Sequence, residues 1–175
     1  MIKELWTLAK MLFATKPSEI EEVKLMGMDH FPLKGYSYMM WCGRMVYRND
    51  TYDTRRKEWI TKKYKVSKNH ETIHLMQAKM CGSWAKYYLR YLWEWLKPGF
   101  MAPLKANYYT IPYEMEAYAN EEKFDYPEGM VVCSDNYSEG ICEKYVIKNG
   151  RKVTFKEAGG TPQAWKAYLK TLAIN

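Results

Sequence analysis

Apolar and polar positions change period several times along the chain, and those changes divide it into elements. Leu5, Leu8 and Leu12 recur at three- and four-residue steps, predicting a helix over residues 1–15 that Pro17-Ser18 interrupts. After a turn around His30-Phe31-Pro32, the run from Tyr36 to Cys42 reads as a strand. Gly43-Arg44 breaks it, and Met45-Val46-Tyr47 forms a second strand or a continuation. Residues 50–66 are polar and basic, which suits a loop with a short helix or strand. From Ser67 to Leu96 the helical period is strong, with Ile73, Met76, Met80, Trp84, Tyr87, Tyr91 and Trp95 three or four apart, and Pro98-Gly99 ends it. Trp84, Tyr87, Tyr91 and Trp95 form a stripe expected to face a protein core rather than a lipid surface. A further helix is expected from about Pro112 to Phe124, stopped before Pro127-Glu128-Gly129.

The last third is different in character. Gly129–Val132 and Ile141–Ile147 look like strands, and Asn149-Gly150 turns the chain into Lys152-Val153-Thr154-Phe155, a hairpin signal. Thr161-Pro162 supplies an N-cap and a first-turn proline for a closing helix from Gln163 to about Ala173. Helices in the middle with strands on both sides give an α+β class.

At 175 residues the chain is long enough for one domain with its own core, and its 47% apolar and 27% charged content excludes a disordered chain. Sixteen tyrosines and seven tryptophans exceed what a core needs and suit partly wet clefts or interfaces. The net charge of +7 permits an acidic partner. The densest basic stretch, Arg55 to Lys65, is broken by Glu58, Trp59 and Ile60 and reads as a solvated face, so nucleic acid has no firm support. Cys42, Cys81, Cys133 and Cys142 have no CxxC spacing, which fits reduced thiols better than a disulfide framework. With neither a signal-peptide pattern nor a long uncharged apolar window, the expected compartment is cytoplasmic. Oligomeric state stays open.

Within the long helical segment stands His70-Glu71-Thr72-Ile73-His74. Two histidines four apart lie one turn above each other on one face, so both imidazoles can reach one ion. Zinc takes imidazole nitrogens, typically from three protein ligands with a water in the fourth position of a catalytic site. Glu71 is adjacent to the first ligand, placed to take a proton from such a water and return it to a leaving amine. The third ligand is not a downstream histidine, because Gln77 and Met80 occupy the Gly and His positions that a metzincin would need. His30, the only other histidine, lies beside a proline and reads as structural or surface. A carboxylate from the second helix is the better option, and Glu114 and Glu116 point in different directions there, so one of them would face the metal.

Asn69-His70-Glu71-Thr72-Ile73-His74-Leu75-Met76-Gln77, an aromatic helix and then Pro112-Tyr113-Glu114-Met115-Glu116-Ala117-Tyr118-Ala119 together resemble the minimal gluzincins. These are small peptidase domains related to the catalytic core of the integral-membrane CAAX prenyl proteases and antibiotic-sensor peptidases. The resemblance covers roughly residues 36–125 and leaves 1–30 and 127–175 unexplained. It implies a small N-terminal sheet packed on the motif helix and a glutamate helix, with His70, His74 and Glu114 holding zinc and Glu71 as general base. The substrate would be a peptide or protein, lying along an edge strand for which Tyr38 to Trp41 is the candidate. Ala117 takes the small-residue position that lets the two helices approach. Tyr118 stands where the family has an Asp supporting a zinc-binding histidine, a departure that touches the outer support and not the ligand set. Among Tyr108, Tyr109 and Tyr118 the sequence does not choose an oxyanion donor. The hairpin and helix of residues 127–175 allow a second expectation, a latent or non-catalytic metal-bound domain whose cleft they cover.

Overall fold

The computed structural model describes residues 1–96, 111–129, 145–148 and 151–154, with the isolated residues 157, 164 and 167. The chain runs α1 (Ile2–Ala14), β1 (Lys24–Met28), β2 (Met39–Trp41), β3 (Arg44–Arg48), α2 (Tyr52–Glu58), α3 (Lys62–Cys81), α4 (Trp84–Leu96), α5 (Pro112–Asn120), α6 (Tyr126–Gly129), β4 (Tyr145–Lys148) and β5 (Arg151–Thr154). The fold is α+β, as expected.

The first sheet has the order β1-β3-β2. The β2–β3 hairpin turns on Cys42 and Gly43, both at positive φ, which matches the right-handed twist of the flanking strands. A side chain at Gly43 would meet Ile20 at 2.7 Å, so the position needs glycine for space as well as for backbone conformation. β3 is the central strand, and Met45, Val46 and Tyr47 are buried in it. Its other neighbour is β1, paired in parallel from Lys24↔Arg44 to Met28↔Arg48. The sequence pattern gave no sign of β1, since Lys-Leu-Met-Gly-Met has neither strict alternation nor a β-branched residue.

The predicted single helix over Ser67–Leu96 is two helices. Gly82, at φ 78°, ends α3 by donating its N–H to Ala78 O and Lys79 O, and α4 restarts at Trp84. Both halves keep the same three- and four-residue spacing, so periodicity alone ran across the break. α3 also starts earlier than expected, at Lys62, with the Thr61 hydroxyl accepting from Tyr64 N–H; together with α2 it makes most of the polar stretch 50–66 helical. The stripe Trp84 and Tyr87 is buried in the main core with Met40, Met45, Leu75 and Tyr113, and Tyr91 and Trp95 pack against it. α5 ends at Asn120 rather than Phe124, and Pro127 lies inside the short α6. β4 and β5 pair antiparallel across Asn149-Gly150, with Lys148 opposite Arg151. The expected strand at 129–132, the closing helix from 163 and Cys133 and Cys142 lie wholly or mostly outside the described residues. Among the described cysteines, Cys42 and Cys81 are free and buried. No helix among the described residues is long and apolar enough to cross a membrane.

Candidate metal centre

The site is built where α3 packs on α5. Ile73 and Ala117, neither with any exposed surface, meet in this contact, and the small Ala117 side chain lets the helix axes come close. Asn69, one residue ahead of the motif, fixes the register. Its buried side-chain amide donates to the carbonyls of Asn120 at 3.3 Å, Glu121 at 3.0 Å and Lys123 at 2.9 Å. Asn120 O also accepts from Lys123 N–H and Lys123 O from Tyr126 N–H, so Asn69 reinforces the turn that follows α5 and donates to the buried Glu121 carbonyl within it.

Pro112 opens α5 and puts Glu114 in its first turn. There the Glu114 carboxylate meets both motif histidines: Oε2 lies 3.3 Å from His70 Nε2 and Oε1 lies 3.2 Å from His74 Nε2. The two Nε2 atoms are 3.1 Å apart. All three side chains are buried, and their ligand atoms lie within 4.8 Å of one another. Glu116, the alternative carboxylate, points elsewhere, with Oε2 accepting from Gln77 and Oε1 from Tyr126. His30 is on the surface near Glu4 and takes no part.

Each of the three groups is oriented from behind. His70 donates from Nδ1 to Glu121 Oε2 at 3.0 Å. His74 donates from Nδ1 to Gln77 Oε1 at 2.7 Å. The orientation of the Gln77 amide is settled by chemistry. Its nitrogen faces Tyr113 O at 3.0 Å and Glu116 Oε2 at 2.8 Å, which only accept, so its oxygen must face His74. An acceptor behind each Nδ1 leaves each Nε2 with its lone pair turned inward. Tyr91 Oη donates to Glu114 Oε1 at 2.7 Å, while Glu114 Oε2 is buried without a hydrogen bond.

Three inward-facing acceptors in a dry site repel one another unless a cation sits among them. In the absence of metal a proton serves. Burial disfavours a charged His70, but the Glu114 and Glu121 carboxylates outweigh it and push its pKa up to about 10. Burial likewise works against a charged Glu114, yet His74 and His70 hold its carboxyl well below the usual carboxylate range. The residues therefore fit a metal, and the buried His70-His74-Glu114 group could hold one.

Glu71 is buried too, and burial raises its pKa against the pull of His70 and His74. The Tyr118 ring lies 4.6 Å from the His70 ring, tilted to it, and so packs on the histidine. The carboxylate behind His70 Nδ1 is that of Glu121. Glu121 and Gln77 were both legible in principle, one seven residues after Glu114 on the same helical face and the other three residues after His74. β2 lies at the sheet edge, as a substrate-binding strand would. Tyr88 Oη, however, accepts from Cys42 N–H at 2.9 Å and donates to Met40 O at 3.5 Å, so that stretch of edge is already taken. Tyr108 and Tyr109 lie outside the described residues.

No family model, curated protein or solved structure matches the chain.

Proposed function

We propose that this chain is a zinc-dependent peptidase of the gluzincin type. The observation that carries the reading is the convergence of His70, His74 and Glu114 beside Glu71. The two Nε2 atoms are 3.1 Å apart, Glu114 Oε2 lies 3.3 Å from one and Oε1 3.2 Å from the other, and single ligand atoms from the three residues all lie within 4.8 Å of one another. Zinc binds imidazole nitrogen and carboxylate oxygen at about 2.0–2.2 Å, so small side-chain adjustments would bring all three residues within reach of one such ion. His2Glu with outer partners on each histidine is also a donor set that zinc uses in catalytic sites.

When bound, zinc supplies Lewis acidity that polarises a scissile carbonyl and acidifies water. His70 and His74 present neutral Nε2 atoms, held in that tautomer by Glu121 and Gln77. Glu114 brings the third ligand, with Tyr91 engaging one oxygen. Glu71 accepts the proton of the attacking water and delivers it to the leaving amine; a carboxyl raised by burial holds that proton better between the two steps. The purified chain should contain about one zinc per molecule. Glu71→Gln should keep the metal and lose cleavage of a broad peptide library, and His74→Ala should lose both. Full metal occupancy in His74→Ala would sink the reading.

One observation favours the latent alternative: β4 packs against the glutamate helix α5, and His70, Glu71, His74 and Glu114 are all buried. If residues 127–175 cover the cleft, trimming them releases activity that the full chain lacks. Equal activity before and after trimming removes the alternative.

A further inference from the structure

Two neighbouring helices carry outward faces that the metal-centre reading does not use. In α1, Leu8 is buried and Met11 and Leu12 pack inward, while Ile2, Leu5, Trp6 and Phe13 are exposed, Ile2 to 80% and Phe13 to 83%. At about 100° per residue these four fall in one stripe roughly 100° wide, separate from the face of Leu8 and Met11. In α4, Leu89, Leu92 and Trp93 are exposed on the side away from the buried Trp84 and Tyr87. α1 and α4 pack on each other, so the two stripes belong to adjoining elements. Seven large apolar side chains left in water on two touching helices mark an interaction surface.

The charge around the stripes says what covers them. Lys3 and Lys10 on α1 and Lys86 on α4 are exposed. Each helix has a single acidic residue, and neither offers an exposed countercharge. Glu4 is turned to the Asp29 N–H and His30, and Glu94 is half-buried. Lys10 Nζ sits 5.3 Å over the Trp6 ring. Tryptophan beside lysine at the margin of an apolar stripe suits the boundary between acyl chains and headgroups. Two copies of this chain meeting through the same face would bring lysines towards one another, whereas lipid phosphate would neutralise them.

We propose that the outward faces of α1 and α4 dock this chain on the surface of an anionic bilayer, with the apolar stripes entering the headgroup boundary and the lysines lying against lipid phosphates. The chain's +7 net charge adds long-range attraction to the same surface. The proposal is independent of the metal centre.

The test is co-sedimentation of the full-length protein with phosphatidylcholine vesicles, with and without phosphatidylglycerol. Binding is expected to the anionic vesicles, with a blue shift in tryptophan emission and weakening by salt. Trp6→Ser with Phe13→Ser and Trp93→Ser should abolish it, and since these side chains are exposed the fold should persist by circular dichroism. Lys3→Gln and Lys10→Gln should each weaken binding roughly fivefold at low salt. The proposal is overturned if neither vesicle binds, or if the substitutions leave binding unchanged. It is also overturned if light scattering shows a dimer that the tryptophan substitutions dissolve. Shielding of Trp6 and Trp93 from oxidative footprinting in the lipid-free monomer would overturn it too, because the chain's own residues would then occupy the face.

Discussion

Gln77 Oε1 accepts the Nδ1 proton of His74 at 2.7 Å, and because both acceptors at the other end of the amide can only accept, Gln77 cannot turn round. A residue that in sequence only ruled out one metallopeptidase class therefore fixes the tautomer of the second histidine. Gln77→Met keeps the length and apolar bulk and removes the acceptor. Metal affinity should fall about 10–100-fold, the usual cost of losing an outer partner. Competition with a chromophoric chelator measures this, and unchanged affinity would refute the tautomer role. Gln77→Glu should fare no better, since it places a carboxylate against Glu116.

Glu121 does for His70 what Gln77 does for His74, with the difference that it carries charge. Glu121→Gln keeps an acceptor for Nδ1 and lowers the basicity of the imidazole, so a modest loss of metal affinity is expected. Glu121→Ala loses both effects and should fall further, within the same 10–100-fold range. The order wild type, Gln, Ala is the checkable result, and Gln binding worse than Ala contradicts it.

The grouping of His70, His74 and Glu114 was legible because it obeys local rules. Two histidines four apart must share a helix face, and a proline-led helix with an early glutamate offers the third arm. What sequence did not show depends on how helices pack. Glu121 shares a helical face with Glu114 in the sequence, but its reach to His70 Nδ1 depends on how the end of α5 packs on α3. Asn69 was invisible as a donor to the turn after α5 because its partners lie more than fifty residues away. The break at Gly82 escaped notice because apolar spacing continues in phase on either side, and only the left-handed φ of the glycine marks it. β1 was missed because its partner β3, and not its own pattern, makes it a strand.

The metal-free site holds a proton that a metal must displace, and the sign of the pH effect follows. His70 has a raised pKa in the fold, so its contribution to metal-free stability is complete below its unfolded value near 6.5 and is lost as pH rises through about 10. The depressed Glu114 carboxyl limits the pair from the other side, its contribution being lost only as pH falls below the usual carboxylate range. Thermal melts of chelator-treated protein should therefore weaken from pH 6.5 towards pH 10. Apparent metal affinity should move the opposite way, gaining about tenfold per pH unit over the same interval for one proton released. Affinity flat across that interval would mean that no proton is displaced.

Asn69 gives the last prediction, because it separates assembly of the site from its chemistry. Asn69→Leu fills similar volume and takes the amide donor from the buried Glu121 carbonyl, while Asn120 O and Lys123 O keep the N–H groups of Lys123 and Tyr126. Leaving that buried acceptor unmade costs about 1–3 kcal/mol, which should appear in denaturant unfolding of the metal-free protein. Glu121 follows Asn120 directly, so release of this turn also loosens the partner of His70, and metal affinity should drop although no ligand has been touched. Asn69→Asp should be worse than Asn69→Leu, since a carboxylate there faces carbonyl oxygens with no proton to give. Normal stability in both variants would mean that the helix end finds water, and that Asn69 does not hold α5 in register with the motif.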